Sequence, residues 1–126
     1  MNKIEILEAL EEIDLPKEEY YILSGGCLVL YGLKENTNDL DLCVSKKAFE
    51  MLKEKFDFGE ENKSEHDFYQ INDYCEVIVK DKKDWKYSEI DGYQVEDLET
   101  LLAFKERRNM EKDKQDIINI RRYLNK

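Results

Sequence analysis

Tyr20-Tyr21-Ile22-Leu23-Ser24-Gly25-Gly26-Cys27-Leu28-Val29-Leu30-Tyr31 reads as a short β-prone run, a glycine turn and an apolar helix. Gly32 closes that helix, and Leu33 to Asn38 form a polar loop. Asp39-Leu40-Asp41-Leu42-Cys43-Val44 then alternates polar and apolar residues, the period of a half-buried strand. The alternation puts Asp39 and Asp41 on one strand face. Strand, glycine turn, helix and second strand is the simplest reading, and the flanking segments extend it.

Upstream, Ile4, Leu7, Leu10 and Ile13 recur at helical spacing, and Pro16 ends the pattern. Downstream, Ser45 is placed to cap a helix in which Phe49, Leu52 and Phe56 face the core. His66 to Ile71 and Tyr74 to Val79 read as strands joined by the turn Asn72-Asp73, a hairpin. Lys80 to Gln94 is charged and turn-rich, with Trp85, Tyr87 and Tyr93 as its anchors and no definable conformation. Val95 to Arg108 reads as a helix, and Ile117, Ile120 and Leu124 stripe a last one after Asn109. No repeat or linker divides the chain, so residues 1–126 are expected to form a single α+β domain, a small mixed sheet flanked by helices.

Composition limits the function classes. Thirty acidic against twenty basic residues leave a formal charge of −10. Such a surface repels polyanions, which disfavours general nucleic-acid or anionic-membrane binding while leaving room for a local basic patch. The longest apolar stretch, Cys27 to Leu33, is far short of a membrane span, and Met1-Asn2-Lys3 leads into no signal sequence. A cytoplasmic protein is expected. Cys27, Cys43 and Cys75 are odd in number, never spaced as CxxC and set among apolar residues, so buried structural cysteines are expected rather than disulfides or zinc. His66 is the one histidine and is expected to pack or hydrogen-bond on its strand.

An acid-x-acid pair carries no information alone, because a chain this acidic contains about seven by chance. The context gives it meaning. A glycine turn opening a helix presents backbone N–H groups suited to phosphate oxygens. Two carboxylates on a nearby strand face can hold divalent cations against those phosphates.

With this context the chain resembles the nucleotidyltransferases of DNA polymerase β-like fold, above all their small bacterial single-domain members. These include antibiotic-modifying enzymes and components of toxin–antitoxin systems. The resemblance rests on Ser24-Gly25-Gly26, on Tyr31 through Leu42 with Thr37-Asn38-Asp39-Leu40-Asp41-Leu42, and on a later strand bearing Glu76. Leu101-Leu102-Ala103-Phe104-Lys105 and Lys112 through Ile117 support it. It implies transfer of a nucleoside monophosphate from an NTP to an acceptor, with pyrophosphate released. It also implies that Asp39, Asp41 and Glu76 ligate Mg²⁺ or Mn²⁺ and form the catalytic centre, with Asp73 the alternative third acid. Ser24, Gly25, Gly26, Lys34 and Lys105 are implied to contact the donor nucleotide. By residue chemistry alone, Lys112, Asp113 and Asp116 suit a helical ion-pair pattern, and Arg107, Arg108, Arg121 and Arg122 a charged helix face.

Relatives often carry an arginine where this chain has Met110, so Arg107 or Arg108 would have to substitute. The acidic balance suits a cationic small acceptor of the aminoglycoside type; an RNA acceptor would need a local basic surface. A protein acceptor is the third option. The competing expectation is a weakly catalytic or non-catalytic partner protein, such as a toxin–antitoxin component. In either case a homodimer or a partner protein would supply the second half of a cleft that so short a chain leaves incomplete.

Overall fold

A computed structural model describes residues 1–125. Six strands form one mixed sheet in the order β3-β4-β2-β1-β6-β5. They are β1 (Tyr20–Leu23), β2 (Leu40–Val44), β3 (Tyr69–Gln70), β4 (Cys75–Val79), β5 (Tyr87–Ile90) and β6 (Tyr93–Glu96). Five α-helices accompany them: α1 (Lys3–Ile13), α2 (Ser24–Leu30), α3 (Lys46–Lys55), α4 (Leu98–Arg108) and α5 (Lys114–Leu124). β2 runs antiparallel to β1 and parallel to β4, which requires the long crossover through α3. β1 runs parallel to β6.

The period-two alternation separates the two faces of the sheet. Tyr20, Ile22, Leu40, Leu42, Val44, Cys75, Val77 and Val95 join one buried cluster with Ile6, Ala9, Leu10 and Ile13 of α1, Leu28 of α2 and Leu52 of α3. Tyr21, Leu23, Asp41, Cys43, Glu76, Ile78 and Glu96 occupy the opposite face and line a cleft. Burying the alternate residues under helices therefore leaves the intervening ones to build a site.

Local chemistry sets the helix boundaries. Asn2 and Glu5 form a reciprocal capping box on α1, with bonds of 2.9 and 3.0 Å. The helix stops at Asp14, a left-handed C-cap at φ 54°, rather than at Pro16. Ile4 is 67% exposed, and Ile6 and Ala9 take the buried positions. A three-residue step falls about 60° short of a full turn, so Ile4 and Ile13 cannot share a face. Ser45 caps α3 as expected, accepting from the Ala48 N–H at 3.1 Å.

Three expectations need correction, and one undefined stretch gains a conformation. The glycines do not form a turn ahead of a helix at Cys27; α2 begins at Ser24 and contains both, and the chain bends at Ser24, which has φ 51°. His66 is on no strand: Asp67 at φ 69° breaks the extended run, β3 shrinks to two residues, and His66 lies exposed 3.4 Å from Glu65. Val95 and Glu96 end β6, and α4 starts only at Leu98, where Asp97 accepts from the Thr100 N–H at 3.1 Å. The undefined Lys80–Gln94 stretch contains a three-residue 3₁₀ turn and then the strand β5, whose hairpin with β6 turns at Asp91 and Gly92, both at positive φ. Tyr21 packs on Trp85 and Tyr87, with ring centroids 5.2 and 6.0 Å apart, and anchors this stretch to the sheet.

Candidate active site

The open sheet face gathers carboxylates from three strands. Asp41 on β2 stands in register with Glu76 on neighbouring β4 and with Leu23 on β1. Asp39 precedes β2 on the same side and is exposed. Glu96 ends β6, beside β1. Asp73, the alternative third acid, lies exposed in the β3–β4 turn, outside the cleft lining. The register thus brings Asp41 and Glu76 together and leaves Asp73 aside.

Asp41 is the electrostatic centre. Its Oδ1 is buried with no hydrogen-bond partner. Burial, reinforced by the charges of Glu76, Asp39 and Glu96, pushes its carboxyl up to about 6. Among the described residues no three His, Cys, Asp or Glu side chains are gathered closely enough to form a preassembled metal cage. The acids are neighbours rather than a finished coordination sphere.

Glu96 had no assigned role in the sequence, where it read as the start of a helix. Its Oε1 accepts from the Ser24 N–H at 3.0 Å, and its carbonyl accepts from Cys27 Sγ at 3.3 Å. It therefore ties the end of β6 to the first turn of α2, where Ser24 holds a left-handed conformation disfavoured for a side chain. Burial raises the Glu96 carboxyl above the usual range, opposed by the Ser24 N–H and by Lys105 and Lys80. A half-buried Glu closing a β-α junction can be recognised only once β6 is known to lie beside β1.

The two glycines serve close approach. A Cβ on Gly25 would strike the Thr37 side chain, so the loop that delivers Asp39 rests on α2. A Cβ on Gly26 would come within 2.9 Å of Ile22 Cγ2, so Gly26 seats α2 against β1 and is buried. Ser24 and Gly25 line a second cavity of about 440 Å³ with Lys34, Thr37, Asp39, Asp41 and Lys105. This cavity meets the larger sheet-face cleft, about 870 Å³, at Ser24 and Asp41.

Two of the three lysines on the smaller cavity are already paired, and the third, Lys112, is exposed with no ion pair among the described residues. Lys105 is buried, 3.2 Å from Asp113 Oδ1 and 3.3 Å from Asp116 Oδ2. Lys34 reaches the same Asp116 oxygen at 3.5 Å. Arg108 grips Asp113 through two bonds of 2.8 and 2.5 Å. Led by these Arg108 bonds, the network holds the Asp113 carboxyl down at about 2. Of Lys112, Asp113 and Asp116, expected to form a helical ion-pair pattern, the two aspartates are paired, across elements rather than along one helix, and Lys112 takes no part. Met110 is exposed, and Arg107 reaches the larger cleft.

No family model matches the chain, and no curated protein or solved structure matches it significantly. No helix among the described residues is long and apolar enough to cross a membrane. The chain is a mixed α/β domain with an acid-floored cleft on the uncovered face of its sheet.

Proposed function

We propose that this chain is a nucleotidyltransferase of polymerase β-like fold, transferring a nucleoside monophosphate from an NTP to an acceptor with release of pyrophosphate. The observation that carries this reading is Asp41 Oδ1, buried without a donor beside Glu76 and two residues from Asp39. A buried carboxylate oxygen left unpaired is unfavourable, and a hard cation satisfies it. Carboxylate oxygens alone make up the donor set, which suits Mg²⁺ or Mn²⁺, and Asp39, Asp41 and Glu76 are the residues that would hold it. When bound, the metal supplies charge neutralisation at the phosphoryl oxygens.

The chain's own residues supply the rest. Ser24 and Gly25 with Lys34 and Lys105 line the cavity proposed for the donor's phosphates. Glu96 fixes the Ser24 backbone, and Gly26 seats the helix that carries these groups. Asp41 stands where both cavities meet, so a group in either one is within its reach.

One observation favours a second reading, a weakly catalytic or non-catalytic partner such as a toxin–antitoxin component. Lys34 and Lys105 are both paired with Asp116, which competes with phosphate for them. The two readings separate in one assay. Wild type and Asp41→Asn are incubated with each α-phosphate-labelled NTP, Mg²⁺ and fractionated small molecules, RNA and protein. Label transfer and pyrophosphate release by wild type alone support the enzyme. No pyrophosphate from any NTP, with a stable protein complex that Asp41→Asn leaves intact, supports the partner.

A further inference from the structure

The distribution of cations differs between the two cavities. Around the smaller one, Lys34, Lys105 and Arg108, the last shared with the larger, are each paired with an aspartate, and Lys112 alone is unpaired among the described residues. On the larger, Lys80 just after β4, Lys86 just before β5 and Arg107 in the last turn of α4 converge from three elements. All three are exposed, and none makes an ion pair among the described residues. The acid on this rim is Asp84; Asp41, Glu76 and Glu96 lie on the floor. The charge of Lys80 is felt there, favouring the ionised forms of Glu96 and Cys43. In a chain with a formal charge of −10, unpaired cations converging on one cleft mark a place for anions.

The same cleft has an aromatic side. Tyr21, buried and packed on Trp85 and Tyr87, lines it together with Phe104, which is 42% exposed. Cations for phosphate and ring faces for bases are the two elements of single-stranded nucleic-acid recognition. A volume of about 870 Å³ is toward the upper end for small-ligand sites.

We propose that the sheet-face cleft receives a second ligand of nucleotide chemistry, a nucleobase carrying phosphate, held by Lys80, Lys86 and Arg107 against the Tyr21 wall. The proposal rests on the nucleotidyltransferase reading only in naming this ligand the acceptor. It reverses, for this one surface, the cationic acceptor that the overall charge suggests. A free nucleotide and the end of a single strand share this chemistry, and the test separates them.

The probes are AMP and a fluorescent single-stranded oligoadenylate of about ten nucleotides. Their binding to wild type and Lys80→Glu/Lys86→Glu is followed over a salt series, and a Mg²⁺·ATP thermal shift is recorded separately on each protein. The expected result is salt-sensitive binding of a probe, weakened about tenfold or more in the lysine variant, with the Mg²⁺·ATP shift unchanged. Oligoadenylate binding well above AMP identifies a strand end, and equal binding identifies a free nucleotide. Absence of binding by both probes, or a lysine variant that loses the Mg²⁺·ATP shift instead, overturns the proposal. Failure of wild type to shift with Mg²⁺·ATP counts against the donor site and leaves the probe result to decide the second ligand on its own.

Discussion

Asp41 is held in a position that its apo surroundings penalise. Its carboxylate is half-buried, lacks a donor at Oδ1 and faces three other acids. Asp41→Asn is therefore expected to stabilise the apo protein, by on the order of 1–2 kcal/mol once solvent screening is allowed for. A raised melting temperature checks this. The pH dependence has the same origin. With the folded pKa at about 6 and the unfolded near 3.8, the folded state binds the extra proton, so this contribution to stability grows as pH falls from 7 toward 4. Asp41→Asn should flatten that rise in a pH series of unfolding curves. Glu96 is argued to act through the Ser24 backbone. Glu96→Gln, which keeps the acceptor, should leave nucleotide binding near wild type, and Glu96→Ala should weaken it about tenfold. Adding Ser24→Gly to Glu96→Ala should restore binding, because glycine adopts φ 51° without strain. A Gln variant as impaired as the Ala variant would instead make the carboxylate charge essential. Asp41 was legible because strand alternation and the glycine context both point to it. Glu96 was not, because its partner Ser24 is distant in the chain and its own segment resembles a helix start.

The elements were legible where a local signal defines them and obscure where pairing does. β1, β2 and β4 announced themselves through β-branched and alternating residues, and the Ser45 cap located α3. The β5–β6 hairpin was missed although Ile90-Asp91-Gly92-Tyr93 carries a favourable two-residue turn, because charge along the segment hid its alternation. Gly92→Ala tests that turn. At φ 84° a side chain is strained, and a loss of about 1 kcal/mol in denaturant unfolding is expected. The α4–α5 junction depends on Asp113, 1% exposed between Lys105 and Arg108. Asp113→Ala leaves Lys105 buried with Asp116 alone and is expected to cost about 3–5 kcal/mol. Asp113 also gives the opposite pH response to Asp41. With its folded pKa depressed to about 2, its stabilisation is present above about 4 and is lost as pH falls toward 2. Acid unfolding of Asp113→Asn should lack that final loss.

At the scale of the whole molecule, one sheet performs two tasks. Leu40, Leu42 and Val77 close a core with α1, α2 and α3, and the residues between them, Asp41, Cys43, Glu76 and Ile78, floor the cleft. The β1–β2 and β2–β4 registers put carboxylates at the centre of the sheet, where both cavities reach them. The net charge foretold an acidic surface but not the unpaired Lys80, Lys86 and Arg107, which converge only after β4, β5 and α4 are assembled. The central claim is a nucleotide site that depends on Asp41, and a thermal-shift titration tests it most directly. Wild type and Asp41→Asn are titrated with ATP, GTP, CTP and UTP, each with and without Mg²⁺. A ligand bound only by the folded state at a hundredfold excess over Kd stabilises by about 2.7 kcal/mol. The account predicts a Mg²⁺-dependent upward shift with at least one nucleotide in wild type, and none in Asp41→Asn. No shift with any nucleotide, or an equal shift in both proteins, would contradict it.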